Sequence, residues 1–125
     1  MENLTKAEEK AMKILWSLER GLIRDVVNGY DEPKPAYTTV ATIIKILEKK
    51  GFLGRRPIAN TNEYYPLIKE EDYTKKYMRS FVKRYFSDSF KSMVSAFGTD
   101  EELSTEDMED LIEHFKNQIE KNKSE

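Results

Sequence analysis

The segment AYTTVATIIKILEKKGF, residues 36–52, restricts the fold more than any other part of the chain. Pro33 and Pro35 precede it and are unsuited to a helix interior, whereas Gly51 suits the position that follows a helix. At about 100° per residue, four apolar side chains share one face. They are Val40, Ile43, Ile44 and Leu47. The segment therefore predicts an amphipathic helix that needs a core on one side.

The opposite face of this helix is short, polar and basic. We predict that the helix runs from about Thr38 or Thr39 to Lys50, and Glu48 is its only acidic residue. A helix that enters the DNA major groove needs short side chains near its N-terminal end and no carboxylates facing the phosphates. The residues of this helix predicted to contact DNA are Thr38, Thr39, Ala41, Thr42, Lys45 and Lys49.

Two shorter helical patterns precede this segment. Thr5 and Glu8 have the spacing of a capping box, and Gly21 is predicted to end the helix that they open. The predicted apolar stripe of that helix consists of Ala7, Ala11, Ile14, Leu15 and Leu18. A second helix is predicted over Leu22 to Val27, with Asn28-Gly29 as its breaker.

Two short extended runs follow the third helix. They cover residues 52–58 and 63–68 and flank the turn-forming ANTN, so we predict a β-hairpin. Strand alternation allows only one of two adjacent tyrosines, Tyr64 and Tyr65, to point outward. The wing residues predicted to contact DNA are Arg55 and Arg56 on the first strand and Asn60 at the tip, which also holds Thr61 and Asn62.

Three helices and a hairpin in about seventy residues have the order of a winged helix-turn-helix. The predicted fold class is mainly α with a small β-hairpin wing. We expect a DNA-binding domain over residues 1–69 and an α-helical dimerisation domain over residues 70–125.

The C-terminal part carries an aromatic and aliphatic stripe at helical spacing. A break is expected at Ser87-Asp88, and Ser104 with Asp107 is expected to cap the last helix. Two helices cannot bury this many large side chains between them, whereas a second copy of the chain can cover them. The residues predicted at a homodimer interface are Tyr73, Tyr77, Phe81, Tyr85, Phe90, Val94, Phe97, Leu111 and Phe115.

The charge distribution agrees with a polyanion partner for the middle of the chain. Residues 34–91 carry 13 Lys and Arg against 6 Asp and Glu, whereas residues 92–125 carry 3 against 10. A basic region can hold DNA, and an acidic end would limit unspecific binding there.

The composition excludes several classes of site. The chain has no cysteine and a single histidine, His114, which removes thiolate metal sites and most routes to acid/base catalysis. We therefore expect no enzyme, no cofactor and no metal. The polar N-terminus and the absence of a long apolar run predict a cytoplasmic protein.

Three stretches resemble the BlaI/MecI penicillinase-repressor family. YTTVATIIKILEKKGFL is similar to its recognition-helix signature, roughly TTVxTxLxRLxxKG, and LTKAEEKAMKILW resembles its first helix, including Trp16. NEYYPLIKEEDY resembles the exit from its wing, so the resemblance covers nearly the whole chain.

This resemblance implies a homodimeric repressor of a β-lactam resistance or related operon that binds a palindromic double-stranded DNA operator. It also implies a membrane-bound sensor metalloprotease as a partner, whose signal leads to cleavage in the dimerisation region. MVSAFGTDEEL is similar to the cleaved stretch, with Ala96-Phe97 where an Asn-Phe bond is usual. The copper-responsive relatives end in a cysteine cluster, which this chain lacks.

Two other functions remain open from the residues alone. A winged helix can serve as a protein-interaction module, which predicts an apolar exposed patch on the third helix. A regulator can also bind a small ligand among aromatic residues such as Trp16, Tyr73 or Tyr77, although the stripe contains no polar group to orient one.

Overall fold

A computed structural model of the chain describes residues 4–99 and 104–124. The elements follow the predicted order of three helices, a hairpin and further helices. They are α1 (Lys6–Leu18), α2 (Ile23–Asn28), α3 (Tyr37–Lys49), β1 (Leu53–Ile58), β2 (Thr61–Pro66), α4 (Glu70–Tyr85), α5 (Phe90–Gly98) and α6 (Thr105–Lys123). A mainly α fold with a two-stranded wing is therefore confirmed for the described part of the chain.

The core of the first compact unit, which extends to Tyr77, lies among α1, α2, α3 and the hairpin. Its fully buried side chains include three of the four apolar residues predicted on α3, namely Val40, Ile44 and Leu47, and Ile43 is partly buried. The stripe of α1 was predicted less well, because Leu18 and Ala7 are exposed and Met12 is fully buried. Burial in α1 is decided by its neighbours as well as by its own periodicity.

The ends of α1 show one confirmed prediction and one error. Thr5 accepts a hydrogen bond from the amide of Glu8, and Glu8 accepts one from the amide of Thr5, which completes the capping box. The prediction that Gly21 ends the helix was wrong, because Glu19 is the C-cap, with φ 72°. Gly21 instead exchanges two backbone hydrogen bonds with Tyr64, 2.9 and 2.8 Å long, and so pairs with the edge of β2.

An ion pair joins α1 to the end of α3. Glu8 is 6% exposed, and the Lys50 ammonium donates to both of its carboxylate oxygens, at 2.6 and 3.1 Å. Burial of the carboxyl would raise the pKa of Glu8, but the hydrogen bonds from Lys50 and Thr5 and the charge of Lys50 outweigh it. The pKa of Glu8 is therefore held below its usual value.

This lowered pKa predicts a specific loss of stability in acid. The ionised Glu8 carboxylate stabilises the fold above its unfolded-state pKa of about 4.3, and this contribution disappears as the pH falls through the lower folded-state pKa. We expect Glu8→Gln to reduce the free energy of unfolding at pH 7 and to flatten its acid dependence. Urea unfolding at a series of pH values measures both effects, and parallel profiles for the two proteins would contradict the assignment.

The hairpin is tighter than predicted. Its strands pair from Leu53 opposite Pro66 to Ile58 opposite Thr61, so that only Ala59 and Asn60 form the turn. The placement of Thr61 and Asn62 at the tip was therefore wrong, since both belong to β2. The short turn is possible because Ala59 takes a positive φ of 52°.

The two adjacent tyrosines behave as alternation predicts. Tyr64 is 2% exposed and packs in the core, whereas Tyr65 is only partly buried. The ring of Tyr65 lies over its cross-strand partner Gly54, where a Cβ atom would be 2.6 Å from the ring. Gly54 thus permits the close packing of this ring on the wing.

Tyr73 belongs to the core of the first unit, although it lies on α4. Its ring centroid is 5.8 Å from those of Trp16 and Phe52, and its hydroxyl accepts a hydrogen bond from the amide of Leu4. These contacts explain why the first unit extends to Tyr77. The functional division at residues 69 and 70 remains a prediction.

The second compact unit begins at Met78 and contains the rest of α4 with α5 and α6. The expected break between α4 and α5 is confirmed, since Ser87 and Asp88 both have positive φ. Ser104 accepts a hydrogen bond from the amide of Asp107 and so caps α6 as predicted. Residues 100–103 lie outside the described part of the chain.

Candidate nucleic-acid interface

The face of α3 opposite the core is accessible along the whole helix. Ala41 is partly exposed, and the other predicted DNA-contacting residues of α3 are exposed: Thr38, Thr39, Thr42, Lys45 and Lys49. Within the described ranges, neither Lys45 nor Lys49 forms an ion pair. Both side chains are exposed and accessible to an anionic partner.

The N-terminal turn of α3 also favours an anion. Ala36 is the N-cap and supplies no side-chain hydrogen bond, so the first amides of the helix have no side-chain acceptor. The helix begins at Tyr37, one or two residues earlier than predicted, and the side chain of Tyr37 is 53% exposed. The Thr42 hydroxyl donates to the Thr38 carbonyl at 3.0 Å and keeps its lone pairs as acceptors.

The predicted wing residues are exposed, but both arginines have partners within the protein. Arg55 Nε lies 3.2 Å from Glu48 Oε2, and Arg56 Nε lies 3.0 Å from Glu63 Oε1. Asn60 is exposed in the turn. The wing therefore presents two guanidinium groups whose charge is partly balanced by adjacent carboxylates.

Sequence reasoning missed both of these ion pairs. Arg56 and Glu63 lie directly opposite each other in the strand register. A correct prediction of the two-residue turn would therefore have identified this pair. Glu48 lies on α3 and Arg55 on β1, and their contact depends on the path of the chain between the two elements. No sequence pattern indicates it.

The residues predicted for dimerisation fall into different environments. Tyr73 is 6% exposed in the first core and Phe81 is partly buried, with its ring centroid 4.9 Å from that of Tyr85. Tyr77 and Tyr85 are 42% and 64% exposed. The remaining predicted residues are about half exposed and lie on α5 and α6: Phe90, Val94, Phe97, Leu111 and Phe115.

An apolar groove runs between α5 and α6. Its volume is about 400 Å³, and its lining consists of Met93, Val94, Phe97, Gly98, Met108, Leu111, Ile112 and Phe115. The exposed members of this lining, together with Phe90 of α5 and Ile119 of α6, are called the α5–α6 face. This face comprises Phe90, Val94, Phe97, Leu111, Ile112, Phe115 and Ile119, each between 45% and 56% exposed.

Two of the three aromatic residues considered for ligand binding already use their polar atoms in hydrogen bonds within the first unit. Trp16 donates its ring N–H to the Ile68 carbonyl at 2.9 Å, and the Tyr73 hydroxyl accepts from Leu4. Among the residues that the structure describes, no group of three or more His, Cys, Asp or Glu side chains could hold a metal ion. None of the described helices is both long and apolar enough to cross a membrane.

Comparison with known proteins agrees with this architecture. The family model described as "Penicillinase repressor" matches residues 4–117. The methicillin resistance regulatory protein MecI of Staphylococcus aureus strain N315 is 28% identical over 109 residues, which cover 86% of this chain and 89% of that protein. The penicillinase repressor of Bacillus licheniformis is 28% identical over 118 residues, covering 91% and 92%. The chain therefore belongs to the penicillinase repressor family, whose members are DNA-binding transcriptional repressors.

Proposed function

We propose that the chain represses transcription as a homodimer in which α3 of each copy enters the major groove at one half-site of a palindromic operator. The observation that carries this proposal is the division of α3 into two faces. Val40, Ile44 and Leu47 are fully buried, whereas the residues opposite them are short or basic and accessible. Such a helix can approach base edges without moving its core.

Each part of the α3 face has a distinct role in this proposal. Thr38, Thr39 and Thr42 offer hydroxyl groups to bases or phosphates, and Ala41 allows the backbone to approach a thymine methyl group. Lys45 and Lys49 lie farther along the helix, where they bind phosphates or guanine. On the wing, Arg55, Arg56 and Asn60 contact the adjacent backbone or minor groove.

The α5–α6 face supplies the proposed dimer interface. Full burial of one large apolar side chain contributes about 1.5–3 kcal/mol, and seven such side chains on this face are about half exposed. Covering them with a second copy would contribute several kcal/mol toward the cost of association. Tyr73 is not part of the proposed interface because it is buried within the first unit.

The regulated operon is proposed from the relatives. Their names connect them with penicillinase and methicillin resistance, and we propose a β-lactam resistance or related operon for this chain. The interaction-module alternative is supported less well, since the large apolar side chains exposed on α3 are Tyr37 and Ile46, which are separated by more than two turns.

We propose that cleavage of the Ala96–Phe97 peptide bond, under the control of a membrane-bound sensor metalloprotease, ends repression. Both residues are exposed, but the bond lies inside α5, so cleavage requires this helix to open locally. Cleavage there would divide the α5–α6 face, which links the proposed signal to loss of the dimer.

Selection of bound duplexes from a random DNA pool tests the proposed function. We expect recovery of a palindrome, and the affinity of the selected duplex should fall steeply between two salt concentrations because lysine and arginine contacts release counterions. A pool that remains random after repeated selection would contradict sequence-specific repression. A recovered single half-site, bound by one chain, would contradict the dimer.

A further inference from the structure

The basic groups proposed to meet DNA are of two kinds. Lys45 and Lys49 on α3 have no ion-pair partner in the described part of the chain. Arg55 and Arg56 on the wing each contact a carboxylate. A surface selected only for DNA affinity would not place an acid beside each wing arginine, since a carboxylate repels the phosphate that the arginine attracts.

The two ion pairs join different elements of the fold, but their geometry is similar. Glu48 reaches from α3 to Arg55 on β1, with side chains 30% and 55% exposed. Glu63 lies opposite Arg56 in the hairpin, with side chains 15% and 59% exposed. In both pairs the carboxylate is the more buried partner, and the guanidinium remains accessible from the solvent side.

We propose that Glu48 and Glu63 are specificity-determining residues, which restrain Arg55 and Arg56 in the free protein and weaken binding to DNA of arbitrary sequence. This inference rests on the proposed function. An unspecific duplex meets the free lysines of α3 but must compete with a carboxylate for each wing arginine. At an operator, base contacts by α3 fix the position of the wing, so each arginine contacts the DNA backbone through its terminal guanidinium nitrogens while its Nε keeps the carboxylate.

The strength of the pairs suits such a restraint. Ion pairs at a protein surface contribute little to folding, so removal of one carboxylate should leave the fold intact and release its arginine to bind the phosphates of any duplex. Phosphate binding is long-ranged and sequence-independent, so even weak competition at two arginines in each copy lowers unspecific affinity. The same carboxylates have little effect on affinity for an operator, where α3 already fixes the position of the wing on the DNA.

The test compares Glu48→Gln and Glu63→Gln with the native full-length chain by fluorescence anisotropy. The probes are the duplex selected from the random pool and an unrelated duplex of the same length. We expect each variant to bind the unrelated duplex about threefold to tenfold more tightly and with a steeper salt dependence. The selected duplex should gain less, so the ratio of the two affinities falls.

Glu71→Gln is the matched control, because Glu71 is an exposed glutamate that pairs with Lys75 on α4 and with neither wing arginine. It removes the same charge and also breaks an ion pair. Equal gains in all three variants would overturn the proposal in favour of net charge alone. Weaker binding by Glu48→Gln to both duplexes would also overturn the proposal. The pair of Glu48 and Arg55 would then serve to hold β1 against α3 in the conformation that binds DNA.

Two further outcomes distinguish failure of this inference from failure of the proposed function. If the native chain binds neither duplex at low salt, the proposed function fails and this inference fails with it. If the native chain selects a palindrome but the glutamine variants leave the affinity ratio unchanged, only this inference fails. Thermal unfolding of each variant verifies folding, and Glu63→Gln provides an independent test if Glu48→Gln does not fold.

Discussion

A variant carrying Leu111→Asp and Phe115→Asp is expected to be monomeric at concentrations where the native chain is expected to be a dimer. Both side chains line the apolar groove between α5 and α6 and are about half exposed in the single chain. A carboxylate at either position would be buried against apolar groups of the second copy, which is strongly unfavourable without a partner. Sedimentation velocity measures the change directly.

The loss of the dimer is expected to reduce operator affinity by about a hundredfold or more. Two linked binding units gain from the high effective concentration of the second unit once the first has bound, and a monomer loses this gain. Binding to a single half-site should change little, since the α3 face is not altered. Affinities for the full operator and for one half-site therefore separate loss of the dimer from loss of folding.

The matched control for this variant is Asn117→Asp with Lys121→Gln. Both residues are exposed on the side of α6 away from Leu111 and Phe115, and the change lowers the net charge by the same two units. We expect this control to remain dimeric and to bind the operator like the native chain. If the Leu111 and Phe115 variant is still a dimer, the interface lies elsewhere. If the control is a monomer, the added negative charge alone explains the loss of the dimer.

Substitution of two adjacent residues on α3 is expected to give opposite results. Ile44 is fully buried, so Ile44→Ala should reduce the free energy of unfolding by about 2–5 kcal/mol through reduced burial and a residual cavity. Lys45 is exposed, so Lys45→Ala should change stability by less than about 0.5 kcal/mol. Urea denaturation of the two variants measures this difference.

DNA binding should show the reverse order at temperatures where both variants are folded. Lys45→Ala is expected to weaken operator binding and to reduce the slope of log affinity against log salt by about 0.9 for each phosphate that the variant no longer neutralises. Lys76→Ala, at an exposed lysine of α4, is the control for removal of a positive charge. If Lys45→Ala and Lys76→Ala behave alike, α3 does not bind the DNA.

Local sequence patterns predicted the helices and their caps well where the interacting residues lie only a few positions apart. The capping box of Thr5 and Glu8 spans three residues, and the periodicity of Val40, Ile44 and Leu47 spans two helical turns. Such patterns also separate the buried face of α3 from its accessible face. The hairpin was located but its turn was made too long, because ANTN offers several turn positions and only strand pairing selects one.

The sequence by itself determined which of the described segments are helical, which face of α3 is buried and which is accessible, and that α5 and α6 carry apolar stripes. These features depend on periodicity and on interactions between residues a few positions apart. Only the tertiary structure decided that Tyr73 belongs to the first core, that Lys50 pairs with Glu8 and that Glu48 pairs with Arg55. Each of these contacts joins separate elements, so it depends on how the chain brings them together in space.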